Sequence, residues 1–309
     1  MIKKLFLLLI LLISGPVFAE QQKPLLVVLD WFINPNHAPL FVAEQEGFFK
    51  QQGLDVKFIS PADPSEGNKM VAAGKADIAI SYAPSLVHHV VNGMPVMRFA
   101  TLVDKPLNCL VVLKNSNIHT LADLKNKKIA SNGVSTDRAL LNTMLKSAGL
   151  GLKDVDLINV RFDLTQALLA HKIDGFTGGA RNFEPIEVEQ AGQEVRLFYP
   201  EKYGFPMYDE LIFVANKKNI NDPKLTKFTL ALKQGVKYLR KYPIASWKKF
   251  AVNHPELNNE LNEKAWVLSV PYFATDPAKL DKKRYQKLGE YMQKNALISY
   301  VPKLADYAK

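Results

Sequence analysis

The sequence is poor in cysteine, since Cys109 is the single cysteine among 309 residues. One cysteine excludes an intramolecular disulfide, and its place in the apolar run 107–113 favours a buried core residue over a catalytic thiol. Three motifs are also absent: the Gly-x-Ser-x-Gly turn of serine hydrolases, the Walker phosphate loop, and His and Glu at metal-ligand spacing. We therefore predict no catalytic residue, no metal site and no cofactor.

Acidic residues are outnumbered: 40 Lys and Arg face 30 Asp and Glu, for a formal net charge of +10. The basic residues concentrate after residue 215, spaced among acidic and aromatic residues at helical intervals. A nucleic-acid-binding protein needs a basic face with a recognisable reading element, which this pattern does not provide. We predict a solvated basic surface and no nucleic-acid partner.

The apolar run Leu5 to Ile13 lies close to the N-terminus. It follows two lysines and precedes a Val-Phe-Ala segment ending at Ala19, a pattern typical of a cleavable secretory signal over residues 1–19. The run is short for a transmembrane helix, so cleavage after Ala19 is favoured over an uncleaved membrane anchor. We expect the mature chain to be exported to the periplasm.

Short apolar strands alternate with helices along the rest of the chain. This alternation predicts an α/β fold with parallel strands and right-handed crossovers. The chain builds one unit, crosses to a second and returns, which is the plan of a hinged two-lobed clamshell with ligand between the lobes. We predict that each lobe is a mixed sheet flanked by helices. The first lobe is expected over residues 20–108 and 208–309, and the second over residues 109–207.

Helix starts and packing residues are predicted from local patterns. Asn36 and Ser85 are expected to cap two helices, because short polar side chains bind the free N–H groups of a first turn. Trp247 and Trp266 recur with other apolar residues at helical spacing, which favours packing over ligand contact.

Four polar loops follow predicted strands, and ligands of open α/β sheets bind at the carboxyl ends of strands. The loop 30–36 holds an indole, two amides and a carboxylate, which suits a flat polar heterocycle. The loop 81–85 is the second. The loop 131–136 has one glycine and hydroxyl side chains at a helix start, a weak anion-binding pattern. The loop 178–185 precedes an acidic helix.

Three motifs resemble those of the "no message in thiamine" family, which includes substrate-binding proteins of ATP-driven importers and thiamine-pyrimidine synthases. The motifs are Leu29-Asp30-Trp31 with Asn36-His37 and residues 43–49, then residues 74–80, then Gly179-Ala180-Arg181-Asn182-Phe183-Glu184. The first two are found across a superfamily that also binds sulfonates, riboflavin and nitrate. The third is similar to the form in binders of formylaminopyrimidine. The resemblance implies a type II periplasmic-binding-protein fold, an inner-membrane ABC permease as partner, and capture of a thiamine pyrimidine precursor.

An aminopyrimidine offers a flat face, an exocyclic amine and ring nitrogens. We expect Trp31 to stack on the ring, Glu184 to accept from the amine or pair with a ring nitrogen, and Tyr82 to close the other face. The remaining edges are assigned to Asn34, Asn182 and Ser81. If the ligand carries a formyl group or another polar tail, we expect the loop 131–136 to bind it. The other predicted ligand contacts are His37, Pro61, Ser85, Gly133, Ser135, Thr136, Gly179 and Tyr208.

Several alternatives stay open. Trp31 can be an ordinary core residue, and Glu184 can simply complement a helix dipole. The synthase branch of the family implies an enzyme that consumes its own histidine with pyridoxal phosphate and iron. Its cysteine-rich iron motif falls where this sequence has residues 178–184 and no cysteine. A riboflavin or alkanesulfonate binder is the other alternative; Glu184 would repel a sulfonate.

Overall fold

The computed structural model describes residues 23–309. The predicted signal sequence and its cleavage site after Ala19 lie outside the described residues. The strands of the described part are β1 Leu25–Val28, β2 Val56–Ile59, β3 Ile78–Ser81, β4 Val96–Val103, β5 Asn108–Leu113, β6 Lys128–Ser131, β7 Asp156–Asn159, β8 Gly175–Ala180, β9 Val195–Phe198 and β10 Leu211–Asn216. The α-helices are α1 Ala38–Gln45, α2 Phe48–Gln51, α3 Glu66–Ala72, α4 Ala83–Val91, α5 Ser135–Ser147, α6 Leu164–Leu169, α7 Glu184–Gln190, α8 Pro223–Lys241, α9 Pro243–Asn253, α10 Glu260–Ser269 and α11 Lys282–Lys294. Over residues 23–309, no helix is both long and apolar enough to cross a membrane.

The strands form two sheets of five strands each. The first has the order β2-β1-β3-β10-β4, with β1 parallel to β2 and β3, and β10 antiparallel to β3 and β4. The second has the order β7-β6-β8-β5-β9, with β6 parallel to β7 and β8, and β5 antiparallel to β8 and β9. The predicted α/β class with mixed sheets flanked by helices is therefore confirmed.

The two sheets draw on different parts of the chain. Strands β1 to β4 and β10 build the first sheet, and β5 to β9 build the second. We call the part of the chain built on the first sheet the first lobe and the part built on the second sheet the second lobe. The chain crosses between the sheets after β4 and again after β9. The lobe boundaries at residues 108 and 208 stay a prediction, with which these crossings agree.

The first sheet lies inside the lobe, with helices against it. All six residues of β10 are buried, as expected for a strand covered on both faces. Helices α1 and α8 approach so closely that a Cβ on Gly235 would lie 2.4 Å from the carbonyl oxygen of Pro39. Trp247 and Trp266 are 3% and 0% exposed in this core, which confirms their packing role. Cys109 is likewise fully buried, in the second lobe.

Two predicted helix caps were wrong. Asn34 rather than Asn36 caps the short 3₁₀ turn before α1, because its Oδ1 accepts from the backbone N–H of Asn36 at 2.8 Å. Helix α4 begins at Ala83, with Tyr82 at its N-cap position, so Ser85 lies inside the first turn. Ser85 is therefore free to use its hydroxyl in contacts outside its own helix.

The loop predicted at 178–185 also begins later than expected. Strand β8 continues through Ala180 because Gly179 and Ala180 pair with Cys109 and Asn108 of β5. Strand β9 had no clear signal in the sequence and forms by pairing with the other edge of β5. Pairing with a distant strand decided both features.

Candidate functional site

A cavity of about 570 Å³ lies between the two lobes. The first lobe contributes residues after β1 and the side chain of Tyr82 after β3. The second lobe contributes residues 160–166, which follow β7. It also contributes Gly178, Gly179, Ala180, Phe183 and Glu184, at the end of β8 and the start of α7. The volume lies in the range of sites that hold small organic ligands. This first cavity is therefore the candidate ligand site.

Aromatic rings from both lobes meet at the first cavity. The ring of Trp31 lies edge-on to the ring of Phe162, with centroids 4.7 Å apart. Phe162 also packs on Phe32, at 4.3 Å between centroids, and Phe32 is half exposed. Trp31 and Phe32 belong to the first lobe and Phe162 to the second. Sequence reasoning missed Phe162, although its position directly after β7 was the available signal.

Asp30 is held by two neighbours at the wall of the first cavity. His37 Nε2 lies 2.8 Å from Asp30 Oδ1, and the Tyr82 hydroxyl donates to Asp30 Oδ2 at 2.7 Å. Burial beside the Asp30 carboxylate raises the pKa of Tyr82 well above its usual value. His37 is fully buried and does not line the cavity. In this structure its ring nitrogen contacts the Asp30 carboxylate and helps to fix the orientation of that group.

Glu184 lines the first cavity as the first residue of α7. Its Oε2 accepts a hydrogen bond from the backbone N–H of Ala180 at 2.6 Å. Burial raises the pKa of Glu184 to about 8, and the charges of Glu187 and Asp30 add to this effect. A helix start favours the carboxylate form, but the loss of solvation outweighs it here. Near neutral pH the Glu184 carboxyl can therefore both donate and accept a hydrogen bond.

The described lining of the first cavity carries many more acids than bases. One basic side chain, Arg161, faces five acidic ones: Asp30, Asp163, Glu184, Glu187 and Glu210. Arg161 is itself paired with Asp63 at 3.4 Å. Glu210 accepts from the backbone N–H groups of Leu107 and Asn108, at 2.5 and 3.0 Å. This balance favours a ligand that donates hydrogen bonds and disfavours an anion.

The polar residues of the Gly179–Glu184 motif make different contacts. Arg181 turns away from the cavity, pairs with Glu201 at 2.7 Å and donates to the carbonyl of Leu107, in the segment that joins the lobes. Asn182 donates through Nδ2 to Asn36 Oδ1 and to Ser269 Oγ, each at 2.7 Å, and so links the two lobes. Glu184 is thus the residue of the motif whose carboxyl is available to a ligand.

A second cavity of about 540 Å³ lies on the other side of Tyr82, also between the lobes. Ser85 of α4 reaches across to the start of α5. Its hydroxyl lies 2.7 Å from Thr136 Oγ1 and accepts from the Ser135 hydroxyl at 3.0 Å. Gly133 lies in the same wall. The loop predicted at 131–136 therefore faces this second cavity and does not line the first.

The predicted ligand contacts fall into three groups. The first cavity is lined by Trp31, Asn34, Tyr82, Gly179 and Glu184. The second cavity is lined by Tyr82, Ser85, Gly133 and Ser135. Six predicted contacts are buried and line neither cavity, because neighbouring protein groups surround them: His37, Pro61, Ser81, Thr136, Asn182 and Tyr208. Direct contact of these six residues with a ligand stays a prediction.

Comparisons with known proteins give the family and the fold that this chain matches. The family model described as NMT1/THI5 like matches residues 34–246. A putative thiamine biosynthesis protein of Haemophilus influenzae is 44% identical over 299 residues, which covers 96% of this chain and 95% of that protein. A formylaminopyrimidine-binding protein of Halalkalibacterium halodurans is 29% identical over 241 residues, covering 77% and 73%.

Two more distant matches are a synthase that is similar in sequence and a solved binding protein that is similar in fold. A 4-amino-5-hydroxymethyl-2-methylpyrimidine phosphate synthase of Legionella pneumophila is 26% identical over 277 residues, covering 88% of this chain and 86% of that protein. The solved alkanesulfonate-binding protein of Xanthomonas axonopodis matches with a TM-score of 0.72 and 16% identity, covering 92% of this chain and 96% of that chain. At this identity the match shows the fold alone, which is that of periplasmic binding proteins.

Proposed function

Because the chain belongs to the NMT1/THI5-like family, we propose that it is an exported solute-binding protein for an aminopyrimidine of the formylaminopyrimidine class. It captures this thiamine precursor between its lobes in the periplasm and delivers it to an inner-membrane permease of an ATP-driven importer. The formylaminopyrimidine-binding relative and the binding-protein fold support this proposal.

The observation that carries the proposal is the Glu184 carboxyl in an aromatic-walled cavity. A carboxyl that keeps its proton near neutral pH donates to a ring nitrogen and accepts from the adjacent exocyclic amine. The 4-aminopyrimidine edge presents that pair of groups side by side. Trp31 and Phe162 supply apolar surface for the flat ring, and aromatic contacts of this kind contribute about 0.5–1.5 kcal/mol beyond area burial.

An anionic ligand is the less suitable occupant of the first cavity. A sulfonate would meet the acidic side chains of Asp30, Asp163 and Glu187 without a free cation in the described lining to balance them, since Arg161 is paired with Asp63. Removing an anion from water beside like charges is costly. The sulfonate alternative would also need Arg181, which is bound to Glu201.

The synthase alternative has less support from the residues of the site. The histidine next to Asn36 is buried behind Asp30 rather than exposed in the cavity. The segment 178–184 has no cysteine with which to bind iron. A pyridoxal group held as an imine needs a lysine, and the lining of the first cavity that the structure describes includes none. These residues do not fit the cofactors of the synthases, and we propose binding without catalysis.

Ligand capture follows from contacts that already join the lobes. Trp31 meets Phe162, and Asn36 meets Asn182. A ligand that touches both lobes adds to these contacts in the closed form only. Its differential affinity shifts the open–closed equilibrium, and the closed form is what the permease receives.

A thermal-shift and calorimetry panel tests the proposal. Purified mature protein is titrated with formylaminopyrimidine, hydroxymethylpyrimidine, taurine and riboflavin. A ligand present at about a hundred times its Kd stabilises by about 2.7 kcal/mol, which is easily measured. We expect stabilisation by the aminopyrimidines. Stabilisation by taurine or riboflavin alone would overturn the ligand assignment and leave the binding-protein fold in place.

A further inference from the structure

The two interlobe cavities share Tyr82 but differ in charge. Acidic side chains dominate the described lining of the first cavity. The described lining of the second cavity includes Lys69 and Arg138 and no Asp or Glu. Lys69 comes from α3 of the first lobe and Arg138 from α5 of the second, so the two cations approach the second cavity from opposite sides.

The second cavity is also rich in hydrogen-bond donors. Hydroxyl groups of Ser65, Ser85, Ser131 and Ser135 line it, of which Ser65 donates to Asp63 Oδ1 at 2.7 Å and Ser135 donates to Ser85 Oγ at 3.0 Å. Lys69 Nζ donates to Ser65 Oγ at 3.1 Å, which places its ammonium group at the wall. Helix α5 begins at Ser135, so its N-terminus adds partial positive charge to the same wall.

An unpartnered buried side chain in the wall provides a separate indication of a ligand. Asn68 is 7% exposed and lines the second cavity. Its Nδ2 donates to Ser81 Oγ at 3.0 Å, but its buried Oδ1 has no partner among the described residues. The Ser81 hydroxyl can donate to Oδ1 if the amide exchanges its two ends, and the NH₂ group is then left for a ligand. A buried polar group without a partner costs stability, and a polar ligand at this wall would relieve that cost.

We propose that the second cavity binds an anionic group, a phosphate or a carboxylate, held by Lys69, Arg138, the serine hydroxyls and the Asn68 amide. The anion is either a substituent of the aminopyrimidine that occupies the first cavity or a free anion bound beside it. The first form rests on the proposed function. Tyr82, which lines both cavities, then separates the part of the site that takes the amine from the part that takes the anion.

Calorimetry with a matched pair of probes tests this assignment. The probes are 4-amino-5-hydroxymethyl-2-methylpyrimidine and its phosphate ester, each measured with and without inorganic phosphate. The test variant is Lys69→Ala with Arg138→Ala; both side chains are exposed, so folding is not at risk. The control is Lys227→Ala with Lys237→Ala on α8, which removes the same charge from exposed positions that line neither cavity.

We expect wild type and control to bind the ester at least about ten-fold more tightly than the alcohol, since one charge-assisted hydrogen bond has that effect. The Lys69/Arg138 variant should lose this preference and keep its affinity for the alcohol. Tighter binding of the alcohol in inorganic phosphate would identify a free anion instead of a substituent. Equal affinities for both probes, with no effect of phosphate, would overturn the proposal and leave the proposed function intact.

A thermal-shift measurement with inorganic phosphate alone tests the anion site independently of the proposed function. If neither pyrimidine binds, the proposed function fails. Stabilisation by phosphate that the Lys69/Arg138 variant loses would still support the anion site. No stabilisation, or equal stabilisation of variant and control, would refute it.

Discussion

Replacing Glu184 with alanine tests the central feature of the site. The carboxyl lines the first cavity, and burial there raises its pKa to about 8. In the proposed complex it makes two hydrogen bonds to the pyrimidine edge, and the alanine variant leaves both ligand groups unpaired. Loss of a buried partner costs about 1–3 kcal/mol, so Kd should rise about 5- to 150-fold.

Isothermal titration calorimetry with formylaminopyrimidine measures this change. The matched control is Glu189→Ala, on the same helix, whose exposed carboxylate lies 4.0 Å from Lys264 and does not line the cavity. An exposed pair of this kind contributes little, so the control should stay within about two-fold of wild type. Because Glu184 also accepts from Ala180 N–H, thermal unfolding of each variant is measured in parallel to separate stability from affinity.

A second variant distinguishes the protonated carboxyl from a carboxylate. Glu184→Gln keeps one donor and one acceptor, so it should retain much of the affinity that alanine loses. Affinity of the wild type should fall as pH rises through about 8, where the carboxyl loses its proton and its donor. The glutamine variant should lack that decline. An alanine variant with wild-type affinity would refute the role of Glu184.

Three further predictions concern the walls and the hinge. Phe162→Ala removes the ring that meets Trp31 across the cleft and should weaken ligand binding by about 0.5–1.5 kcal/mol, read from tryptophan fluorescence titrations. Arg181→Ala leaves Glu201 without its partner and should lower the unfolding free energy by about 2 kcal/mol in urea, an effect absent from an exposed control such as Lys227→Ala. Asp137 has a pKa raised to about 7 by burial, so its contribution to stability is present below about pH 4 and is lost as pH rises to 7. Relative to Asp137→Asn, wild type should lose up to about 4 kcal/mol over that range; a pH-independent difference would contradict the shift.

Much of the fold could be predicted from local patterns. Apolar runs gave most strands, and their alternation with helices gave the α/β class, because burial on both faces requires such runs. Loops after strands pointed to Trp31, Tyr82 and Glu184, all of which line the first cavity. Strand β9 and the length of β8 could not be predicted, because both depend on pairing with β5.

The contacts of individual polar side chains could not be predicted in the same way. Asn182 and Asn36 are 146 positions apart in the chain and form a hydrogen bond across the lobes. His37 and Asn182 carry the same chemistry whether they face a ligand or a neighbour. Only the positions of their partners decide between these outcomes, and those positions are set by the packing of whole lobes.

The sequence by itself determined the two-lobed α/β plan and the polar loops at the ends of strands, because strand burial and turn formation depend on residues close together in the chain. Tertiary structure alone decided three features: the entry of Phe162 from the second lobe, the raised pKa of Glu184, and the opposite charges of the two cavities. Each depends on which distant residues share a buried space, and charges and rings act through distance rather than through order in the chain.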